Sequence, residues 1–90
     1  MMKFIRWNAD KNERLKKERG VAFEELLNSK FIADEAHPQK IHQRVMLFEF
    51  QGYIWVVPYI KERNYYFLKT AFPHRKYTKK YLGGKDDKEN

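Results

Sequence analysis

Two β-prone runs in the middle of the chain constrain the fold most. They cover residues 41–50 and 53–60 and are separated only by a Gln-Gly pair, a connection typical of a tight hairpin. Apolar side chains occupy both alternating faces of these runs, since Met46 falls on one face and Val45 on the other. Strands that are apolar on both faces are usually covered on both sides. The sequence therefore predicts a sheet with this hairpin at its centre.

The segments before the hairpin predict one strand and two helices. Residues 3–7 alternate like a short strand, Asn8 or Asp10 offers an N-cap for a first helix, and Gly20 ends that helix. A second, amphipathic helix is predicted over residues 21–31, because its apolar residues follow helical spacing. Those residues are Phe23, Leu26, Leu27 and Phe31.

The segments after the second helix complete the prediction. Residues 34–40 indicate a loop, residues 65–72 a third antiparallel strand, and residues 76–82 a short helix. The predicted fold class is α+β: an N-terminal strand and two helices, then a three-stranded antiparallel meander and a short C-terminal helix. One domain over residues 1–82 is expected, followed by a disordered polar tail over residues 83–90.

Composition excludes several classes of site. The 90 residues include no cysteine, so a disulfide framework, a thiolate metal site and a cysteine nucleophile are impossible. No window approaches the roughly 18 apolar residues of a membrane span, and the first residues lack the apolar run of a signal peptide. These features predict a cytoplasmic protein with no membrane role. No cofactor and no metal are expected.

The formal charge of +7 is distributed unevenly. Residues 1–20 carry seven basic and three acidic side chains, and residues 61–82 carry seven basic and one acidic. Residues 21–36 instead hold one lysine and four acidic side chains. This pattern predicts a positive side that suits a polyanion.

The segment over residues 65–82 mixes cations with aromatic rings and points to RNA. Lysines and an arginine hold phosphates, and tyrosines stack on bases or move protons. Two other classes stay open at this point. One is a nucleic-acid-binding module without catalysis, and the other is a protein-interaction subunit.

Three motifs, in order along the chain, resemble those of the BrnT toxin family, which has a RelE-like fold. They are F-x-x-W-N-x-D-K-N at residues 4–12, R-G-V-A-F-E-E at residues 19–25 and H-R-K-Y-T-K-K-Y at residues 74–81. The family pattern has W-D-x-x-K, H-G-V-S-F-E-E and A-R-K-A-T at compatible spacing. This chain departs from it at Arg19, where histidine is usual, and at Ala22, where a helix-capping serine is usual.

The resemblance implies the toxin of a type II toxin-antitoxin pair. Such a toxin is a metal-independent endoribonuclease, and its partner is an antitoxin with a ribbon-helix-helix DNA-binding domain. Metal-free RNA cleavage needs a base, an acid and cations for the developing phosphate charge. The catalytic candidates that can supply these are Arg75, Lys69, Arg44, His42, His74 and Tyr77. The RNA-binding candidates are Lys11, Lys76, Lys79, Lys80 and Tyr81.

Simpler explanations exist for several of these residues. His42 and Arg44 could be polar residues that keep an edge strand soluble. If their strand and the strand that contains Lys69 both flank the central one, Arg44 and Lys69 could meet over one side of the sheet. Tyr77 and Tyr81, four residues apart, could pack as the core of a short helix.

Overall fold

The computed structural model describes residues 4–83, and these form one mixed sheet with helices on both faces. None of the helices in this range is both long and apolar enough to cross a membrane. The elements in chain order are β1 (Phe4–Trp7), α1 (Ala9–Arg19), α2 (Phe23–Leu27), β2 (Lys30–Ala36), β3 (Arg44–Phe50), β4 (Tyr53–Lys61), β5 (Tyr65–Leu68), β6 (Phe72–Pro73) and α3 (Arg75–Leu82).

The sheet has the strand order β1-β5-β4-β3-β2, and the short β6 also pairs with β4. The predicted hairpin is confirmed, since β3 pairs antiparallel with β4 along the whole length of β3. Its turn residues Gln51 and Gly52 have φ angles of 54° and 76°. Two successive positive φ angles produce the backbone twist that tight hairpins favour.

The predicted arrangement of a helix pair followed by a three-stranded meander is wrong. The second helix ends at Leu27, and β2 replaces its predicted last turn and much of the predicted loop. β2 pairs antiparallel with β3, so the meander has four strands. The sheet is also mixed, because β1 pairs parallel with β5.

A register shift between Phe31 and Ala33 explains why β2 escaped the sequence analysis. Phe31 pairs with Phe48, and Ala33 pairs with the adjacent Leu47. Phe31 and Ala33 therefore face opposite sides of the sheet although they are two residues apart. A bulge of this kind breaks the period of two on which strand prediction depends.

Two hydrophobic clusters lie on opposite sides of the sheet. On the helix-pair face, α1 and α2 cover Met46, Phe48, Val57 and Tyr59 with side chains that include Leu15, Phe23 and Leu26. On the α3 face, Tyr77, Tyr81 and Leu82 of α3 cover Val45, Leu47, Ile54 and Val56. The hairpin is thus covered on both sides, as its apolar faces predict.

Asn12 replaces the capping serine that Ala22 lacks. Its Oδ1 accepts a hydrogen bond of 2.8 Å from the backbone N–H of Phe23, at the start of α2. Its Nδ2 donates to Glu24 at 2.8 Å, and this hydrogen bond lowers the pKa of Glu24. Glu25 accepts from the backbone N–H of Ala22, also at 2.8 Å. The N–H groups of Ala22 and Phe23, at the start of α2, are therefore satisfied without a serine.

Candidate functional site

A groove crosses the α3 face between the β2–β3 loop and the start of α3; we call it the α3 groove. Its centre is a cavity of about 210 Å³, and its walls include His37, Gln39, Phe72, His74 and Tyr77. A second cavity shares His37, Gln39 and Phe72 with the centre and extends to Lys40 and Lys69. A third shares Gln39, His74 and Tyr77 and extends to Lys76 and Lys80. The groove therefore has two histidines and a tyrosine at its centre and lysines at both ends.

His37 is held by the loop that carries it. Its Nδ1 accepts hydrogen bonds of 3.0 Å from the backbone N–H groups of both Gln39 and Lys40. A ring nitrogen that accepts hydrogen bonds carries no proton, so the neutral ring has its proton on Nε2. His37 is thus a hydrogen-bond donor through Nε2.

His74 is the N-cap residue of α3, and it is held in the same way. Its Nδ1 accepts from the backbone N–H of Tyr77 at 3.3 Å, which again leaves the proton of the neutral ring on Nε2. Its backbone N–H donates to the carbonyl of Ile54 at 3.0 Å. The Thr78 hydroxyl donates to the His74 carbonyl, within the first turn of α3, and accepts from the Ile54 N–H. Two hydrogen bonds to Ile54 therefore fasten the start of α3 to β4.

The two tyrosines of α3 have different surroundings. Tyr77 lies in the central cavity with its ring centroid 4.6 Å from that of His74. Burial and the charge of Glu35 raise the pKa of Tyr77, so its hydroxyl is protonated at neutral pH. The Tyr81 hydroxyl donates to Glu35, and this hydrogen bond raises the pKa of Tyr81. Both tyrosine hydroxyls therefore interact with Glu35, and Tyr77 is the one that also lines the groove.

The four cations of α3 lie on two flanks of the helix. Lys76 and Lys80, four residues apart, line the groove. Arg75 and Lys79, also four apart, line a separate cavity of about 260 Å³ with Tyr53 and Thr78. Residues four apart share one side of a helix, so only one pair can face the groove.

Lys69 lies immediately after β5, at one end of the groove. Its ammonium group is 5.6 Å from the centroid of the Phe67 ring, and its backbone N–H donates to the carbonyl of Pro58 at 2.8 Å. The side chain is exposed, so its charge is available to a ligand.

The structure places Arg44, His42 and Lys11 elsewhere. β3 and β5 do flank β4, which was the condition for Arg44 and Lys69 to meet. The Arg44 side chain nevertheless donates to Asp34 at 3.0 Å and lines none of the three groove cavities. His42 is exposed in the β2–β3 loop. Lys11 lies on α1, the helix that packs on the opposite face.

Sequence analysis missed His37 and Gln39, which line the groove from the β2–β3 loop. The signal in the sequence was an imidazole next to Pro38 in the predicted loop. Within residues 4–83, no three histidine, aspartate or glutamate side chains are close enough to hold a metal ion together.

Comparison with known proteins now adds to this geometry. No family model and no curated protein sequence matches the chain. Its structure is similar to the crystal structure of the Brucella abortus ribonuclease toxin BrnT, with a TM-score of 0.52 and 21% sequence identity. The match covers 82% of this chain and 97% of BrnT.

This chain has a BrnT-like fold. The resemblance predicted from the three motifs is thereby confirmed at the level of the fold. The RelE-like part of the prediction stays a prediction.

Proposed function

We propose that this protein is an endoribonuclease toxin of a type II toxin-antitoxin pair and that it cleaves RNA in the α3 groove. The fold shared with a ribonuclease toxin supports the proposal, because the match extends over 97% of that toxin. A fold alone does not determine a reaction. The observation that carries the proposal is therefore the groove itself, which combines imidazole N–H groups, a protonated tyrosine and lysines at both ends.

The cations at the two ends suit an extended phosphate backbone. Lys40 and Lys69 lie toward one end, and Lys76 and Lys80 toward the other. A strand laid through the groove would meet positive charge on both sides of the central cavity. We infer that the phosphate to be cleaved lies between them, beside His37 and His74.

The centre of the groove suits the developing negative charge. When the 2′-oxygen attacks phosphorus, charge builds on the non-bridging oxygens, and preorganised N–H donors stabilise that charge. The Nε2–H groups of His37 and His74 are such donors, because hydrogen bonds at Nδ1 fix both rings. In this proposal the 2′-hydroxyl proton leaves to water in the open groove.

Tyr77 is the general acid that we propose for the leaving 5′-oxygen. Its raised pKa keeps the proton in place until the phosphorus–oxygen bond breaks. The leaving alkoxide is far more basic than a phenolate, because an alcohol is a much weaker acid than a phenol. Proton transfer from Tyr77 is therefore downhill despite the raised pKa.

Secondary roles in this proposal belong to Arg75, Lys79 and Tyr81. Arg75 and Lys79 hold RNA that leaves the groove around the other flank of α3. Tyr81 positions α3 through Glu35. We leave Arg44 and His42 out of the reacting set, because Arg44 is paired with Asp34 and neither residue lines the groove.

The partner that we propose is an antitoxin with a ribbon-helix-helix DNA-binding domain. A chain with a net charge of +7 needs an acidic or apolar segment to cover its cationic surface, and the antitoxin would supply that segment. The proposed substrate of the toxin is RNA, so we propose that the toxin acts in the cytoplasm.

Induced expression with and without the neighbouring gene tests the function. We expect growth arrest and degraded total RNA with the chain alone, and protection when the neighbouring gene is present. Purified protein should cleave RNA in excess chelator and leave 2′,3′-cyclic or 3′-phosphate ends. Normal growth and intact RNA would overturn the toxin proposal, and products with 3′-hydroxyl ends would overturn the metal-independent chemistry.

A further inference from the structure

α3 covers only part of its own sheet face. The cluster beneath it comes from β2, β3, β4 and β6, at one side of the sheet. β5 and β1, at the other side, contribute nothing to that cluster, and no helix in residues 4–83 packs on them from this side. The outer half of the α3 face is therefore open.

The strand register shows which side chains occupy this open half. Tyr66 and Leu68 of β5 pack on the helix-pair face, so Tyr65 and Phe67 point to the opposite side. β1 pairs in parallel register, with Phe4 beside Tyr65 and Arg6 beside Phe67. Trp7 packs on the helix-pair face, which again leaves Phe4 and Arg6 on the open side. We call Phe4, Arg6, Tyr65 and Phe67 the β1–β5 platform.

Two cations, Arg6 and Lys69, lie beside rings of this platform. The Phe4 side chain is 72% exposed. The Arg6 guanidinium lies 5.0 Å from the centroid of the Tyr65 ring, and the Lys69 ammonium lies 5.6 Å from that of Phe67. Neither β1 nor β5 contains an acidic residue. Side chains that pack in a protein core are not exposed in this way, and they do not lie beside two cations.

We propose that the β1–β5 platform binds single-stranded RNA by stacking bases on its rings. The inference rests on the proposed function, since the strand would continue from the α3 groove onto the platform. Lys69 connects the two surfaces, because it lines the groove and also lies over Phe67. Aromatic rings stack on any base, and adjacent cations hold the phosphates between stacked bases. The platform therefore holds nucleotides on one side of the scissile phosphate without reading their sequence.

Binding of uncleavable RNA to the full chain tests the platform. RNA with 2′-O-methyl groups lacks the nucleophile, so affinity is measured without cleavage. Two lengths are compared: about three nucleotides, which fill the groove, and about ten, which also reach the platform. Phe4→Ala and Tyr65→Ala should each weaken binding of the longer RNA about tenfold and leave the shorter RNA unaffected.

Phe31→Ala is the matched control. Phe31 is also an exposed aromatic residue on an edge strand, 55% exposed, but it contacts Phe48 on the helix-pair face. It should leave both affinities unchanged. Tyr65→Phe should retain parental affinity, because the ring and not the hydroxyl does the stacking. Lys69→Ala should lower the salt dependence of log K by about 0.7, whereas the ring variants should not change it.

Each result decides between the platform and its alternatives. Equal losses for Phe4→Ala and Phe31→Ala, losses on the short RNA, or no binding by the parent would overturn the platform. Unchanged RNA affinity together with weaker binding of the neighbouring gene product would show a protein-docking surface instead. If the platform variants lose affinity but the parent leaves unmodified RNA intact, the platform stands and the ribonuclease proposal fails. Thermal unfolding checks that each variant is folded.

Discussion

Two successive acidic residues of β2 make the same kind of contacts on opposite faces of the sheet. On the helix-pair face, Asp34 accepts from the hydroxyl of Tyr59 at 2.7 Å and from Arg44 at 3.0 Å. On the α3 face, Glu35 accepts from the hydroxyl of Tyr81, and Lys80 lies 3.6 Å away. Each carboxylate thus combines one tyrosine with one cation.

The two trios differ in what they connect. The Asp34 trio joins β2, β3 and β4, which are already bonded through their backbones, and its tyrosine is only 1% exposed. The Glu35 trio joins β2 to α3, which has no backbone ladder with the sheet. One trio therefore reinforces the scaffold, and the other positions the helix that forms a wall of the groove.

The largest expected effect is on RNA cleavage, and it distinguishes Lys69 at the groove from Arg44 on the helix-pair face. Lys69→Ala removes a charge that positions the RNA backbone at one end of the groove, and a misplaced substrate typically lowers the rate about 10²-fold. Arg44→Ala, on the helix-pair face, should keep most of the activity. RNA cleavage by the two purified variants measures this. An inactive Arg44→Ala together with an active Lys69→Ala would indicate that the site lies on the helix-pair face.

Asp34→Ala should have the next largest effect, on stability. It leaves the buried hydroxyl of Tyr59 without an acceptor, which costs about 1–3 kcal/mol in the free energy of unfolding. Glu35→Ala should cost less, because the Tyr81 hydroxyl is at the surface and can turn to water. Urea unfolding measures the free energy of unfolding of both variants. Tyr59→Phe is the control, because it removes the hydroxyl that needs an acceptor. Equal losses for the two carboxylates would remove the distinction between the trios.

Alkaline pH should weaken the Asp34 trio in a predictable direction. Burial, followed by the hydrogen bond to Asp34, raises the pKa of Tyr59 well above its usual value of 10. Because the folded pKa is the higher one, this contribution is complete below pH 10 and is lost as the pH rises further. The loss should approach about 1.4 kcal/mol for the first pH unit above that value. Unfolding measured between pH 9 and 11 tests this, and Tyr59→Phe should flatten the curve.

The smallest expected effect is a difference in RNA cleavage between variants on the two flanks of α3. Lys76→Ala, on the groove side, should reduce RNA cleavage more than Arg75→Ala, on the other side. We expect a difference of about tenfold, since Arg75 in our proposal only holds RNA beyond the groove. Sequence analysis instead placed Arg75 among the catalytic candidates and Lys76 among the RNA-binding candidates. A more damaging Arg75→Ala would place the reacting phosphate at the cavity beside Tyr53.

Local signals determined the parts of the fold that were predicted correctly. The β3–β4 hairpin follows from its short Gln-Gly turn and from two apolar runs that are contiguous in sequence. The cap at Asn8 and the left-handed Gly20 are equally local, and both are confirmed. β2 was missed because its bulge disrupts the alternation, and the parallel pairing of β1 with β5 joins segments far apart in the chain. The predicted tail beyond Gly83 lies outside the described residues.

The sequence by itself determined which chemistry the site can contain: lysines, histidines and tyrosines, and no thiol. Most of the lysines, histidines and tyrosines that line the groove lie in the segment from Lys69 to Tyr81. Only the tertiary structure decided which of them meet. His37 joins His74 because the β2–β3 loop lies over the start of α3, and Arg75 points away because Tyr77 and Tyr81 bury the opposite face of that helix. Side-chain direction depends on what each element packs against, and that is a property of the assembled sheet.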